Sequence, residues 1–225
     1  MENVIKTILP PKCFLCKSNY GDICLTCLQK FLTVRYYYCL VCDRPSIKGE
    51  THGNCADESA PTSAFSAFEY TGGVRKCIKT AKYRQKVFAP LKKLAFEAAV
   101  IASKAGFMLA DYNVVPIPLN KAKNRSRGFN QANIIAKEIS GYFGLRQEES
   151  ILVRTKETKS QYKQGRRARF ENLKGAFVCR RNVGGTRFLL VDDICTTGAT
   201  LLEASRALYK KGAKEVCCFT IAKKF

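Results

Sequence analysis

Residues 188–200 read F-L-L-V-D-D-I-C-T-T-G-A-T and give the clearest indication of the fold. The run that opens it and ends at Asp192 is almost wholly apolar and shows no polar alternation. Such a run is typical of a strand that is buried on both faces of a parallel sheet. A helical spacing of apolar residues follows at Leu201, Leu202, Ala204 and Leu208. The stretch therefore predicts a buried strand, a loop and a helix in succession.

The residues between that strand and that helix suit a sugar phosphate. A phosphate needs a glycine that lets the backbone approach, small hydroxyl donors and the partial positive charge of a helix N-terminus. The loop supplies these groups at Thr196, Thr197, Gly198, Ala199 and Thr200. The carboxylates of Asp192 and Asp193 would repel a bare phosphate, so we expect them to face sugar hydroxyls or a Mg²⁺ ion.

Closely spaced pairs of cysteines, one pair with a histidine, indicate a metal-binding module in the N-terminal part of the chain. The pairs are Cys13 and Cys16, Cys24 and Cys27, Cys39 and Cys42, and His52 and Cys55. Each pair can present two ligands to a tetrahedral Zn²⁺ ion, so the spacing predicts one or two structural zinc ions. Pairing by proximity gives one site from the first four ligands and another from the last four, and a cross-braced pairing stays open. The tyrosines at 36–38 either pack this module against the rest of the chain or stack on bases.

Net charge is a further signal. The chain has 39 Lys and Arg against 18 Asp and Glu, a formal charge of +21, which favours a polyanionic partner. Single-stranded nucleic acid is one candidate partner. A basic enzyme that acts on small phosphorylated substrates is the other interpretation, and the charge alone does not separate the two.

Three basic segments are candidates for binding DNA or another anion. A helix at residues 74–83 leads into K-Y-R, a basic loop is expected at residues 121–127, and a mobile arm with some helix near residues 166–173 is expected at residues 154–181. A hairpin formed by residues 176–179 and 187–191 should follow the arm. The candidate residues are Lys82, Arg84, Arg125, Arg127, Gln131, Arg166, Arg167 and Arg169.

Linker composition at residues 56–64 divides the chain into two units. We expect a double zinc-ribbon module at residues 1–58 and an α/β domain with a parallel sheet at residues 63–225. No run of residues reaches the length of a membrane span, and the N-terminus lacks the charged start and apolar centre of a signal peptide. We therefore expect a cytoplasmic protein.

The stretch at residues 188–200 resembles the phosphoribosyl diphosphate (PRPP) signature of type I phosphoribosyltransferases, with four apolar residues, two acids, two variable positions and T-T-G-A-T. The resemblance implies a parallel sheet flanked by helices. It also implies that Asp192 and Asp193 are the catalytic pair that holds the ribose hydroxyls, and that the loop from Thr196 to Thr200 holds the 5-phosphate. Mg²⁺ would accompany PRPP.

Further motifs follow in one order along the whole chain. They are the four metal-binding pairs, K-Y-R at residues 82–84, V-V-P-I-P at 114–118, R-G-F-N-Q at 127–131, S-Q at 160–161 and R-x-x-R-x-x-N-L at 166–173. On these residues the chain is identified as a member of the ComF competence-protein family. The resemblance implies a phosphoribosyltransferase fold, a role in natural transformation and single-stranded DNA as a partner, with other DNA-uptake or recombination proteins as further candidate partners.

Two functions of different class follow from these features. In the first, the protein binds PRPP with Mg²⁺ and handles single-stranded DNA during transformation. In the second, it is an active phosphoribosyltransferase that acts on an unidentified base or small-molecule acceptor and has no DNA role. The intact loop favours an enzyme, whereas the large positive charge favours DNA. The sequence does not decide whether turnover occurs, and it predicts no oligomeric state.

Overall fold

The computed structural model describes residues 11–83, 87–107, 109–156 and 166–225. The helices in these residues are α1 (Leu25–Leu28), α2 (Gly72–Tyr83), α3 (Ala89–Lys104), α4 (Lys121–Arg127), α5 (Gln131–Phe143), α6 (Arg166–Leu173) and α7 (Ala199–Tyr209). The strands are β1 (Ser63–Glu69), β2 (Tyr112–Pro116), β3 (Arg146–Gln147), β4 (Leu152–Arg154), β5 (Phe177–Cys179), β6 (Arg187–Cys195) and β7 (Glu215–Lys223). None of the helices described is long and apolar enough to cross a bilayer.

A parallel sheet of five strands, in the order β1-β7-β6-β2-β3, forms the centre of the larger unit. Strand β6 lies in the middle, with Leu189 opposite Val114 on one side and opposite Cys217 on the other. Because both edges of β6 are paired and both faces are covered, its apolar run is fully buried. The buried parallel strand predicted at residues 188–192 is confirmed, and it extends to Cys195.

Helices cover both faces of this sheet. On one face α3 and α5 pack against β2, β6 and β7, and the alanines of α3, such as Ala98, let that helix lie close to the strands. On the other face Leu201, Ala204 and Leu208 of α7 pack against Leu190. The α/β class with helix-flanked parallel strands is therefore confirmed.

The hairpin predicted between residues 176–179 and 187–191 is wrong. Strand β5 pairs instead with β4 in a separate antiparallel ribbon, in which Cys179 lies opposite Leu152. The reason is that β2 and β7 already occupy both edges of β6, so β5 has no edge of β6 to join.

One local element also differs from the expectation. The basic residues 121–127, expected as a loop, form the short helix α4. Helix α3 ends at Lys104, because Gly106 turns the chain with a φ of +73°.

The metal-binding module packs directly on the sheet through its tyrosines. The Tyr38 hydroxyl is buried and lies 2.7 Å from the Ser66 hydroxyl, which in turn lies 2.6 Å from the Thr220 hydroxyl. The Tyr37 ring packs against Phe65, with ring centroids 6.2 Å apart. Of the two roles considered for these side chains, packing of the module against the main domain is confirmed for this pair.

Candidate functional site

Because β6 and β2 are adjacent and parallel, the segments that follow them leave the sheet at the same edge. The loop at residues 196–198 and the start of α7 follow β6, and α4 follows β2. Helix α2, which follows β1, reaches this edge with Lys82. Side chains that are far apart in sequence therefore meet where the strands end.

The two acids at the end of β6 have different surroundings. Asp193 is buried, and its Oδ2 forms an ion pair of 2.5 Å with the Nζ of Lys82. Asp192 is partly exposed, and its Oδ1 accepts a 2.8 Å hydrogen bond from the backbone N–H of Asp193. Lys82 thus neutralises the carboxylate of Asp193, whereas that of Asp192 is partly exposed at the end of the strand.

Although solvent reaches part of Asp192, the surrounding protein desolvates its carboxyl group. This burial, and next the charge of Asp193, raises the pKa of Asp192 to about 7. Burial alone would lower the pKa of Lys82, but the charge of Asp193 outweighs it and raises that pKa above the usual lysine value. Burial also lowers the pKa of Arg154, while the charge of Asp192 acts in the opposite direction. Two acids and two cations thus interact at this edge, and the charge of Asp192 changes near neutral pH.

The loop after β6 is shaped to approach an anion with its backbone. Gly198 is the N-cap of α7 and has a φ of +79°, in the left-handed region that favours glycine. Gly198 offers no side chain to cap the helix, and the Ala199 N–H donates to the Thr197 hydroxyl at 3.5 Å. The first N–H groups have no acceptor within the helix itself. These N–H groups, the helix dipole and the hydroxyls of Thr196, Thr197 and Thr200 can together hold a phosphate.

The segment after β2 places a second polar group near the sheet edge. Asn130 caps α5 by accepting from the Ala132 N–H (3.1 Å), and its own amide donates to the Ile117 carbonyl (3.0 Å). Arg127 donates to the Gln131 side-chain oxygen at 3.2 Å. Within the described part of the chain, the Gln131 amide nitrogen is buried and has no acceptor. An oxygen-rich ligand would supply one.

The remaining anion-binding candidates are distributed more widely. The ammonium of Lys82 forms an ion pair with the Asp193 carboxylate, and the Arg125 side chain is exposed on α4. Arg166, Arg167 and Arg169 lie on α6, which packs against α7. Arg84 lies outside the described residues, and so does the middle of the expected mobile arm, at 157–165.

The eight predicted metal ligands form two clusters, one from Cys13, Cys16, Cys24 and Cys27 and one from Cys39, Cys42, His52 and Cys55. Within each cluster the ligand atoms lie within 4.8 Å of one another. In the first cluster the Sγ atoms of Cys13 and Cys27 are 3.8 Å apart, close to the separation of about 3.8 Å that follows from tetrahedral Zn–S bonds of about 2.3 Å. The ligands fit structural zinc, and pairing by proximity describes both clusters.

His52 is oriented for metal binding by its second nitrogen. Its Nε2 lies 3.0 Å from the Pro45 carbonyl, which can only accept, so Nε2 carries the proton. Its Nδ1 lies 3.3 Å from the Sγ of Cys42 and keeps a lone pair for the ion. A histidine therefore completes the second site, in the place of a fourth cysteine.

Sequence reasoning missed three residues at this edge. Arg154 was assigned only to a mobile arm, yet it ends β4 and interacts electrostatically with Asp192. Lys223 is buried at the end of β7, and its Nζ donates to the Thr196 carbonyl at 2.8 Å. Leu40 of the metal-binding module is 2% exposed and contacts Gly198. A lysine that ends the apolar strand T-I-A-K was the available signal for Lys223; nothing local marks the other two.

Two family models match the chain. The double zinc ribbon domain matches residues 4–56, and the phosphoribosyl transferase domain matches residues 125–224. The metal-ligand clusters fall within the first match, and the acids and loop at the end of β6 fall within the second.

Curated relatives are similar to the chain over nearly all of its length. DNA utilization protein YhgH of Salmonella typhimurium is 28% identical over 218 residues, covering 92% of this chain and 95% of that protein. Competence protein F of Haemophilus influenzae is 26% identical over 223 residues, covering 94% and 96%. Competence protein ComFC of Bacillus subtilis is 26% identical over 241 residues, covering 93% of each.

The two clusters predict two zinc ions per chain. Replacing two ligands of one cluster, in the double variant Cys39→Ser and Cys42→Ser, should lower the zinc content from two ions to one, because two remaining ligands do not hold the ion. The measurement is atomic absorption on protein purified by gel filtration. The control is Cys77→Ser with Cys179→Ser, which changes two buried cysteines outside the clusters and should keep both ions. One zinc in the unmodified protein, or two in the ligand variant, would contradict the assignment.

Proposed function

We propose that this chain, which belongs to the ComF competence-protein family, binds PRPP with Mg²⁺ and handles single-stranded DNA in the cytoplasm during natural transformation. Residues 1–58 form the zinc module, and residues 63–225 form the PRPP-binding domain. The observation that carries the proposal is the pair of acids and the glycine-capped helix that meet at the end of β6.

Under this proposal, each polar group of PRPP has a partner at the end of β6. Its ribose hydroxyls donate to Asp192 and Asp193, which are acceptors when ionised. Its 5-phosphate accepts from the N–H groups and hydroxyls of residues 196–200. Its diphosphate is neutralised by basic residues of α4, such as Arg125, and accepts from the buried amide of Gln131.

Mg²⁺ enters this proposal as the ion bound to the diphosphate of PRPP, where it offsets phosphate charge. The acids of this chain suit sugar hydroxyls better than direct coordination of the ion. Lys82 already neutralises Asp193, and the pKa of Asp192, raised by burial to about 7, leaves part of that carboxyl protonated at neutral pH. Their role is to orient the ribose.

The DNA role rests on charge and on the relatives. A formal charge of +21 exceeds what one PRPP molecule requires, and helix α6 places a basic run beside α7. One relative is named a DNA utilization protein and two are named competence proteins. Because unpaired thiols persist where the compartment is reducing, the two thiolate clusters favour the cytoplasm. DNA-uptake or recombination proteins are further partners under this proposal.

A second candidate function is phosphoribosyl transfer to a small acceptor. The observation that favours it is the Asp192 pKa, raised by burial to about 7, because a group that titrates near neutral pH can accept a proton from an attacking acceptor. In such a reaction the bond from ribose to diphosphate breaks, and a bond from ribose to the acceptor forms. Release of pyrophosphate in the presence of an acceptor distinguishes this function from binding alone.

Calorimetric titration of Mg²⁺ and PRPP into the zinc-loaded protein tests the PRPP proposal. The unmodified chain should bind, and the double variant Asp192→Asn with Asp193→Asn should lose at least about a hundredfold in affinity, since two charge-assisted hydrogen-bond sites are removed at roughly 1.5 kcal/mol or more each. Asp57→Asn, which changes an exposed acid, serves as the control and should bind normally. Absence of binding by the unmodified protein would refute the proposal.

PRPP affinity should rise with pH between 6 and 8. Burial raises the pKa of Asp192 to about 7, so below that pH the carboxyl is protonated and loses acceptor capacity for the ribose hydroxyls. One pH unit below the pKa, only about one carboxyl in ten is ionised, so the affinity should fall by at most about tenfold from its value at high pH. Titrations at several pH values measure the effect. The phosphates of PRPP also titrate, so Asp192→Asn should flatten only the step near 7, and an unchanged profile would contradict the role of Asp192.

DNA binding should weaken when the charge of α6 is reversed. Replacing Arg166, Arg167 and Arg169 by Glu should lower the slope of log Kobs against log salt concentration by about 2, because each phosphate contact to a single strand contributes about 0.7. Fluorescence anisotropy with a labelled oligothymidine at several salt concentrations gives the slope.

The control reverses an equal charge at the opposite edge of the sheet, with Lys210, Lys211 and Lys214 replaced by Glu. Both triple variants lower the formal charge from +21 to +15, that is, by 3 × 2. A loss of slope in the α6 variant alone supports a DNA contact on α6. Equal losses in both variants would show that net charge, not α6, attracts the DNA.

A further inference from the structure

Lys223 has surroundings unusual for a lysine. It is 1% exposed at the end of β7, and its Nζ lies 2.7 Å from the Asp43 carboxylate. The same Nζ donates to the Thr196 carbonyl at 2.8 Å and lies 4.6 Å from the centre of the Tyr38 ring. A buried charge is tolerated only when it is paired and hydrogen-bonded, so the ammonium is held between two segments of the chain, one from each unit.

Asp43 lies in the turn that carries two metal ligands of the second cluster. Asp43 directly follows the ligand Cys42, and its N–H donates to the carbonyl of the ligand Cys39 at 2.8 Å. The Cys39 N–H in turn donates to the Arg44 carbonyl at 2.9 Å. The position of the Asp43 carboxylate is therefore tied to the turn that carries two of the four metal ligands.

The same turn also contacts the phosphate loop, residues 196–200, at a second point. A Cβ atom added at Gly198 would lie 2.9 Å from Cδ1 of Leu40 and 3.1 Å from its carbonyl oxygen. Leu40 lies between the ligands Cys39 and Cys42 and is 2% exposed. The glycine is thus required both by its left-handed backbone and by the close approach of the zinc module.

We propose that the metal-binding turn that carries Cys39 and Cys42 sets the conformation of the phosphate loop, with Lys223 and Leu40 as the positioning residues. Lys223 fixes the Thr196 carbonyl, so that the following N–H groups turn toward the ligand, and Leu40 fixes Gly198 from behind. Neither residue contacts PRPP. This inference rests on the proposed function, because it assigns the loop to a phosphate. Under it the zinc ribbon supports the PRPP site without contacting the ligand.

Three variants test this positioning in zinc-loaded full-length protein. Lys223→Met removes the ammonium, Asp43→Asn removes the negative charge that pairs with it, and Leu40→Ala removes the side-chain contact with Gly198. Each should keep two zinc ions and lower the affinity for Mg²⁺ and PRPP by about tenfold or more, as measured by calorimetry at a temperature where the variant is folded. Lys224→Met, which changes the exposed neighbour, should stay within about twofold of the unmodified protein.

Asp43→Asn separates positioning from simple electrostatics. It makes the surroundings of the loop more positive, so attraction of the anionic ligand alone would tighten binding, whereas loss of positioning weakens it. Asn also tolerates the left-handed backbone of residue 43, where φ is 65°, so the turn should keep its shape. Affinity in Asp43→Asn and Leu40→Ala that is equal to or better than that of the unmodified protein would overturn the proposal.

Hydrogen exchange of residues 195–201 without ligand gives a readout that does not depend on PRPP binding. Exchange of these amides should be faster in Lys223→Met and Leu40→Ala than in Lys224→Met, while exchange in the middle of the sheet stays unchanged. If the unmodified protein fails to bind PRPP but the loop amides still exchange faster in Lys223→Met and Leu40→Ala than in Lys224→Met, the proposed ligand is wrong and the positioning is right. Unchanged loop exchange would overturn the positioning itself.

Discussion

The buried ammonium of Lys223 joins the three parts of the molecule on which the candidate site depends. It lies at the end of the last strand, pairs with the carboxylate of Asp43 in the zinc module and donates to the carbonyl of Thr196 in the phosphate loop. Removing such a charge from water costs several kcal/mol, which only a fixed set of partners offsets. The contacts of Lys223 therefore fix the positions of the strand, the zinc module and the loop relative to one another.

That geometry follows from the order of strands in the sheet. Because β6 is central and parallel to both neighbours, its carboxyl end is surrounded by the ends of β2 and β7. The acids Asp192 and Asp193 leave the sheet in the middle of this edge, with Lys82 from α2 beside them. The double zinc ribbon contacts the same edge through Leu40 and Tyr38, and these contacts are the basis of the positioning role proposed for it.

Features that depend on local spacing could be predicted from the sequence. The strand, loop and helix around residues 188–200 follow from one apolar run and one helical period, and the two ligand clusters follow from closely spaced pairs. The helix of residues 166–173 was also predicted, within a segment expected to be mobile. In each case the residues that define the element are neighbours in the chain.

Features that depend on distant contacts could not be predicted. The hairpin with β5 was wrong because the edge it needed is filled by β2 and β7, which are far away in sequence. One local feature was missed as well: residues 121–127 were expected as a loop, because their basic composition obscures a short helix. Lys223 and Leu40 contact the loop from positions 27 and more than 150 residues away in the sequence, and no spacing rule relates such positions.

A crystal structure of the zinc-loaded chain with Mg²⁺ and PRPP would show whether the ligand binds at the end of β6. We expect the 5-phosphate on the N–H groups of residues 196–200, the ribose hydroxyls on Asp192 and Asp193, and intact contacts of Lys223 and Leu40 with the loop. PRPP bound away from the end of β6, or a phosphate loop that separates from the zinc module when the ligand binds, would contradict this expectation.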